Sequence, residues 1–276
     1  MIKDIVVNIP NSSSQDVISR FAISVTDLFN SHLCGVAFAH QPQFPAVGYN
    51  GIPAEYIDGL WAESRRRAST SIDAFKQAAR SAGLVADVQQ IEVQLGHAAD
   101  TFAQIARRFD LSIMVQPEPN HAEATGPIVE AALFGSGRPV LIAPYIQKGG
   151  LKLDHVTVCW DGSRTSARAV GDALPFLAHA AAIEVVVVGH QQIKSDEMPG
   201  MDIGRHLARH GLKIKVNRMK AQGISVSNVI LSRAAETSTS LIVMGGYGHS
   251  RMRELILGGT TRDILAEMTI PVLMSH

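Results

Sequence analysis

The sequence is poor in cysteine, in long apolar runs and in net charge, and each shortage excludes a class of protein. Only Cys34 and Cys159 occur among the 276 residues, both in strand-like runs, which predicts buried free thiols and a reducing, cytoplasmic location. No apolar run approaches the ~20 residues of a membrane span, and the apolar part of the N-terminus is too short for a signal peptide. The 25 basic and 25 acidic residues cancel, so we expect neither nucleic acid nor a membrane as partner.

What is present is a regular alternation of strand-like and helix-like segments. The length suits two domains of about 100–150 residues each, and an apolar content of 46% suits a large core. We predict a long loop over 41–60, because this stretch is rich in proline, glycine and aromatic residues. The alternation predicts a doubly wound parallel sheet. In the first half, strands are predicted at 4–9, 33–40, 87–94, 113–115 and 138–144, and helices near 17–28 and at 54–82, 98–109 and 128–134.

The second half of the chain repeats the first. The segment DIVVNIPNSSS from Asp4 aligns with HVTVCWDGSRT from His155, and the apolar triplet at Pro139 aligns with that at Pro271. We therefore predict two tandem doubly wound domains, each with a mainly parallel five-stranded sheet flanked by helices. The predicted boundaries are 1–147 and 152–276.

Two glycine clusters follow a strand late in the chain. Residues 241–244 form an apolar run typical of a strand covered on both faces. Gly245, Gly246 and Gly248 follow at once, and Gly258 and Gly259 precede a segment with helical spacing. Glycine lets a ligand approach the backbone, and the first N–H groups of a helix attract anions. The pattern predicts a phosphate cradle, against the alternative of a tight turn and a helix cap.

Two common phosphate-binding motifs do not fit this stretch. The P-loop pattern is absent, and the dinucleotide pattern that starts at Gly246 meets Arg251 where its third glycine should stand. The spacing of Gly245, Gly248 and Gly258 instead resembles the G-x2-G-x9-G-[S/T] loop of the universal stress protein family. Gly259 departs from that pattern, since the family usually has Ser or Thr there, although the hydroxyls of Thr260 and Thr261 are close by.

The resemblance covers nearly the whole chain and implies a tandem family member with an adenine nucleotide alpha hydrolase-like fold. It implies ATP or a related adenine nucleotide as ligand, with Mg²⁺ carried by the phosphates. Asp161 and the backbone at His190 would flank the nucleoside, and His249 could donate to a phosphate. The implied nucleotide-binding residues are Asp161, His190, Met244, Gly245, Gly248, His249, Gly258, Gly259, Thr260 and Thr261. We predict no catalytic residue and no dedicated metal ligand, and we interpret His206 and His210 as a surface pair.

The two copies differ at the equivalent positions. Pro10 stands where the second copy has Asp161, and the loop of the first copy contains Pro117, Glu118 and Glu123. Prolines remove N–H donors, and carboxylates repel phosphate. We therefore expect the second domain to bind a nucleotide and the first to have lost that ability.

Three functions remain open from the sequence. The leading one is a stress-response protein that acts by nucleotide-dependent binding of an unknown protein partner. The others are a slow ATPase, for which His249 is the nearby base, and a nucleotide-free interaction module in which Gly259 marks a decayed site. The segments RPVLIAP and IPVLMS could pair within one chain as an intramolecular pseudo-dimer. A homodimer of whole chains is left open.

Overall fold

The computed structural model describes residues 1–41, 53–94, 96–118, 122–189, 201–221, 223–246 and 259–276. Five strands separated by four helices occur twice in the same order. The first series is β1 (Asp4–Asn8), α1 (Gln15–Phe29), β2 (His32–Gln41), α2 (Ala54–Ser81), β3 (Ala86–Gln94), α3 (Ala98–Ala106), β4 (Leu111–Val115), α4 (Ala122–Gly135) and β5 (Val140–Ala143). The second is β6 (His155–Cys159), α5 (Arg164–Leu177), β7 (Ala182–Gly189), α6 (Met201–Arg209), β8 (Ile214–Lys220), α7 (Val226–Glu236), β9 (Leu241–Gly245), α8 (Gly259–Glu267) and β10 (Val272–Ser275).

The N-terminal compact unit comprises Ile2–Arg138 and Lys148–Gly150. Its strands are parallel and lie in the order β3-β2-β1-β4, so the chain winds outward from β1 in both directions. Every residue of β4 is buried, as expected for a strand covered on both faces. The helices contribute the largest core side chains, among them the fully buried Phe21, Phe75 and Phe102.

The C-terminal compact unit comprises Pro139–Gln147 and Leu151–His276, together with Met1. Its strands lie in the order β5-β10-β9-β6-β7-β8. All of these neighbours are parallel except β5 and β10, which are antiparallel, with Leu273 opposite Leu141. The predicted α/β class with doubly wound sheets is therefore confirmed, and so is the pairing of the segments RPVLIAP and IPVLMS.

Two helix boundaries differ from the sequence-based prediction. Helix α2 begins at Ala54, as predicted for that helix, and the predicted loop over 41–60 overlaps it. Helix α3 ends at Ala106, three residues before the predicted end. Helix α4 begins at Ala122 rather than at Ile128, and it includes Pro127. Proline lacks an N–H, so α4 forms one hydrogen bond fewer in that turn, but the helix continues through it. None of the described helices is both long and apolar enough to cross a membrane.

Candidate functional site

The neighbouring strands β6 and β9 mark the point at which the C-terminal sheet reverses its winding. Val156 on β6 lies opposite Leu241 on β9. From β6 the sheet continues to β7 on one side, and from β9 it continues to β10 on the other. Parallel sheets bind ligands in the crevice outside the carboxyl ends of such strands. Asp161 follows the end of β6 and Gly245 ends β9, so two predicted site residues lie at this edge.

Asp161 shapes the turn that leads into α5. Its Oδ1 accepts a hydrogen bond of 2.9 Å from the backbone N–H of Ser163. Gly162 between them has a φ of 74°, a conformation that glycine adopts without strain. The Oγ of Ser163 then accepts from the N–H of Ser166 at 3.1 Å and caps the helix. The exposed Asp161 carboxylate is thus held in place by the turn in which it lies.

Gly245 packs directly against the first turn of α5. A Cβ added to Gly245 would lie 2.6 Å from the N atom of Ser166 and 2.7 Å from the Oγ1 of Thr165. Real Cβ atoms do not approach backbone this closely, so only glycine fits. Gly245 is predicted to let a ligand approach the backbone, whereas in the structure the space where its side chain would lie is occupied by α5. Sequence reasoning missed Thr165 and Ser166, and the available signal was the run of hydroxyl residues, Ser-Arg-Thr-Ser, after Asp161 and Gly162.

Met244 precedes Gly245 and belongs to the core. Its side chain is only 4% exposed, and it lies opposite Met274 on β10. A ligand at the strand ends could therefore reach the backbone of Met244 but not its thioether.

Helix α8 begins at Gly259, where the resemblance places the end of the glycine loop. Gly259 is exposed, and no described atom lies within 4 Å of a Cβ added there. Thr260 is half-buried, whereas Thr261 is 4% exposed and faces the interior. Of the two hydroxyls predicted to replace the missing serine, only that of Thr260 is open to solvent. The first N–H groups of a helix have no partner within the helix and can attract an anion.

Four predicted site residues lie outside the described part of the chain, namely His190, Gly248, His249 and Gly258. Of the others, the fold brings Asp161, Met244 and Gly245 to adjacent strand ends. Gly259, Thr260 and Thr261 form the first turn of α8.

Neither cysteine is a nucleophile in this fold. Burial, with a smaller contribution from the nearby Asp161 carboxylate, raises the pKa of the Cys159 thiol to about 12. Burial likewise raises the pKa of Cys34 to about 11. Both thiols are free, as predicted, and stay protonated at neutral pH. Cys34 is buried, as predicted, whereas Cys159 is half-buried.

His206 lies on α6 and His210 directly follows that helix. The ring centroids of His206 and His210 are 4.8 Å apart. Among the described residues, no group of three or more His, Cys, Asp or Glu side chains could hold a metal ion.

The N-terminal unit has a different chemistry at the equivalent edge. Ile5 on β1 lies opposite Leu111, just as Val156 lies opposite Leu241, so the five-residue strands β4 and β9 correspond. Val115 therefore stands in the place of Gly245. Beyond it, the Glu118 carboxylate lies 3.4 Å and 3.5 Å from the hydroxyls of Ser12 and Ser13, just before α1. A carboxylate of the chain itself thus sits beside the start of the helix.

Comparisons with known proteins agree on one family. A model of the universal stress protein family matches residues 152–276. Universal stress protein Slr1230 from Synechocystis sp. is 24% identical over 201 residues, which span 68% of this chain and just under two thirds, 66%, of that protein. Universal stress protein YxiE from Bacillus subtilis is 28% identical over 145 residues, 44% of this chain and 97% of that protein.

A solved structure supports the same fold over the whole chain. The crystal structure of a universal stress protein from Archaeoglobus fulgidus covers 99% of this chain and 96% of its own, with a TM-score of 0.74. Its sequence is 16% identical, so this likeness concerns the fold alone. The family model thus assigns residues 152–276 to the universal stress protein family, and the named relatives to which the chain is similar are universal stress proteins.

Proposed function

We propose that residues 152–276 bind ATP or a related adenine nucleotide where β6 and β9 end. The protein would act in the stress response by nucleotide-dependent binding of a protein partner rather than by fast catalysis. The observation that carries the proposal is the meeting of Asp161 and the glycine-ended β9 at the point where the sheet reverses its winding. Open α/β sheets bind nucleotides at such points.

Asp161 is the residue proposed to select the nucleoside. Its carboxylate is exposed and is fixed by the N–H of Ser163. A carboxylate can accept a hydrogen bond from a ribose hydroxyl, and a charged acceptor makes such a bond stronger than a neutral one. A prepositioned acceptor also loses little conformational entropy on binding.

The phosphates are proposed to lie at the start of α8. The first N–H groups of a helix have no partner within it, and the helix dipole favours negative charge there. The space around Gly259 is open among the described atoms, so a phosphate can come close to the backbone. Mg²⁺ would be held mainly by the phosphate oxygens, because this chain shows no cluster of metal ligands in its described part.

Isothermal titration calorimetry with ATP tests the proposal on the full chain. We expect heat of binding for the native protein and a loss of affinity of about tenfold or more for Asp161→Ala, because a hydrogen bond to a charged group is lost. Asp16→Ala is the matched control, since Asp16 lies in the first turn of α1 in the other unit.

The Gly259→Ser variant tests whether the native site binds ATP or has lost that ability. No described atom lies within 4 Å of a Cβ added at Gly259, so the hydroxyl that is usual in the family fits against the described residues, and this variant is expected to bind ATP more tightly than the native chain. If the native chain gave no heat and Gly259→Ser alone bound ATP, the site would be a decayed one. The chain would then be a nucleotide-free interaction module.

A further inference from the structure

Gly246, the first residue after β9, is hydrogen-bonded to the end of the neighbouring strand β10 and to the residue that follows it. Gly246 follows β9 directly and is buried. Its N–H donates to the carbonyl of Ser275 at 2.8 Å, which continues the ladder between β9 and β10 by one step. Its own carbonyl lies 3.0 Å from the Nδ1 atom of His276. A carbonyl can only accept, so Nδ1 carries the proton in this bond.

These two bonds hold both polar groups of one glycine. Glycine has the largest conformational freedom of any residue, and fixing its backbone is correspondingly costly. The Ser275 carbonyl belongs to the strand ladder, which any residue at that position would supply. The His276 bond depends on one side chain and is therefore a specific feature of this sequence.

The N-terminal copy lacks both members of this pair. Strands β5 and β10 have four residues each, so Pro144 occupies the position of His276. Likewise, Gln116 follows β4 where Gly246 follows β9. Proline has neither an N–H nor a side-chain donor. The histidine–glycine pair is thus present only in the copy that has the glycine loop.

We infer that His276 is a positioning residue for Gly246 at the nucleotide site, an inference that rests on the proposed function. It holds the backbone of Gly246, the residue after β9, and acts on the nucleotide through that residue rather than by direct contact. A backbone that is held before binding loses less conformational entropy when ATP binds. Removal of the imidazole should weaken ATP binding without removing any direct contact to ATP.

Calorimetry on three variants of the full chain tests this role. His276→Ala should weaken ATP binding about two- to fivefold, since one partly exposed hydrogen bond is lost. His276→Asn should restore native affinity, because the Asn amide nitrogen takes nearly the position of Nδ1. The matched control is His179→Ala, which removes a similar bond, from Nδ1 to the Pro175 carbonyl at 2.9 Å, at the end of α5.

Amide hydrogen exchange of Gly246 in the ligand-free protein gives a second readout. The Gly246 N–H should exchange faster in His276→Ala than in the native protein, and at the native rate in His276→Asn and His179→Ala. Unchanged exchange in His276→Ala, or faster exchange with native ATP affinity, would overturn the inference while leaving the proposed function intact. If the native protein bound no ATP, the proposed function would be lost and the inference with it.

Discussion

Gly245 has no room for a side chain, because the first turn of α5 already occupies the space. We predict that Gly245→Ala lowers the free energy of unfolding by about 1–3 kcal/mol, the usual cost of overpacking. The clash is with the Ser166 backbone at 2.6 Å and cannot be relieved by a change of side-chain rotamer. Urea denaturation measures the change. Gly259→Ala is the control and should leave stability unchanged or raise it, since an added Cβ meets no atom of the described residues within 4 Å.

Arg233 compensates a buried carboxylate. Glu184 on β7 is 1% exposed, and its two oxygens accept from Arg233 at 2.7 Å and 3.0 Å. Arg233→Met should therefore cost about 3–5 kcal/mol of unfolding free energy, because the Glu184 charge is left buried without its partner. Arg66→Met, which breaks an exposed pair with Glu63, should cost less than about 1 kcal/mol. Equal costs in urea denaturation would contradict this account.

The ion pair between Glu184 and Arg233 also makes stability decrease at acid pH. Burial acts to raise the pKa of Glu184, but the hydrogen bonds and charge of Arg233 outweigh it and hold the pKa below its usual range. A carboxyl with a lowered folded pKa stabilises the fold above its unfolded pKa of about 4.3, and the contribution is lost as the pH falls through the folded value. Glu184→Gln should flatten this acid dependence in thermal melts.

His32 has the opposite effect on the pH dependence of stability. Its Nδ1 lies 2.7 Å from Asp4 and its Nε2 lies 3.0 Å from Asp87. The hydrogen bond to Asp4 raises the pKa of His32, burial opposes this, and Asp87 adds to the rise. The contribution to stability is fully present below the unfolded pKa of about 6.5 and is lost as the pH rises through the folded value.

We predict that His32→Gln removes part of the decline in melting temperature between about pH 6 and pH 8. Asp87→Asn should remove a smaller part, because the Asp4 bond remains. A native protein whose melting temperature did not fall with rising pH, relative to His32→Gln, would contradict this role for His32.

At the scale of the element, the start of α5 contributes both to the stability of the fold and to the candidate site. Ser163 caps α5 by accepting from Ser166, and Ser225 caps α7 by accepting from Asn228. Each serine-to-alanine variant should lose about 1 kcal/mol of unfolding free energy. Only Ser163→Ala should also weaken ATP binding: the backbone N–H that Asp161 accepts from remains, but loss of the cap loosens the start of α5 beside the Asp161 turn. Equal ATP affinities in the two variants, measured by calorimetry, would contradict this link.

The pattern of the elements could be predicted from the sequence, and some of their contacts could not. Residues 241–244 form an uninterrupted apolar run followed by glycine, and such a run indicates a buried parallel strand without further information. The early start of α4 was missed because proline is a local stop signal that packing overrode at Pro127. The close approach of Gly245 to α5 joins residues about 80 apart in sequence, and no local pattern encodes such a contact.

For the candidate site, the spacing of the glycines predicted at which edge of the sheet a ligand would bind. It did not predict the hydrogen bonds that hold Gly246. The hydrogen bond between His276 and Gly246 depends on the register of β9 and β10, and the sequence alone does not specify that register. Asp161 is predicted to contact the nucleoside, and that role stays a prediction. The structure assigns the cap to Ser163 and gives Asp161 the turn before it.

At the scale of the whole molecule, the two copies should bind one nucleotide and not two. In the N-terminal unit, Val115 replaces Gly245 and the Glu118 carboxylate lies beside Ser12 and Ser13, where a phosphate would meet like charge. We predict a stoichiometry of one ATP per chain in calorimetry. Glu118→Gln should leave both the stoichiometry and the affinity unchanged. A stoichiometry of two would contradict the assignment of different roles to the halves.

The antiparallel pairing of β5 with β10 affects which fragments of the protein should fold on their own. A fragment that begins at Lys152 would retain β10 but lose the strand that satisfies its outer amides and carbonyls. Bare strand borders recruit other strands, so such a fragment should self-associate or precipitate through Val272–Ser275. A fragment that begins at Pro139 would keep β5 paired with β10. The nine residues from Pro139 to Gln147 belong to the C-terminal unit, although they come from the first half of the chain.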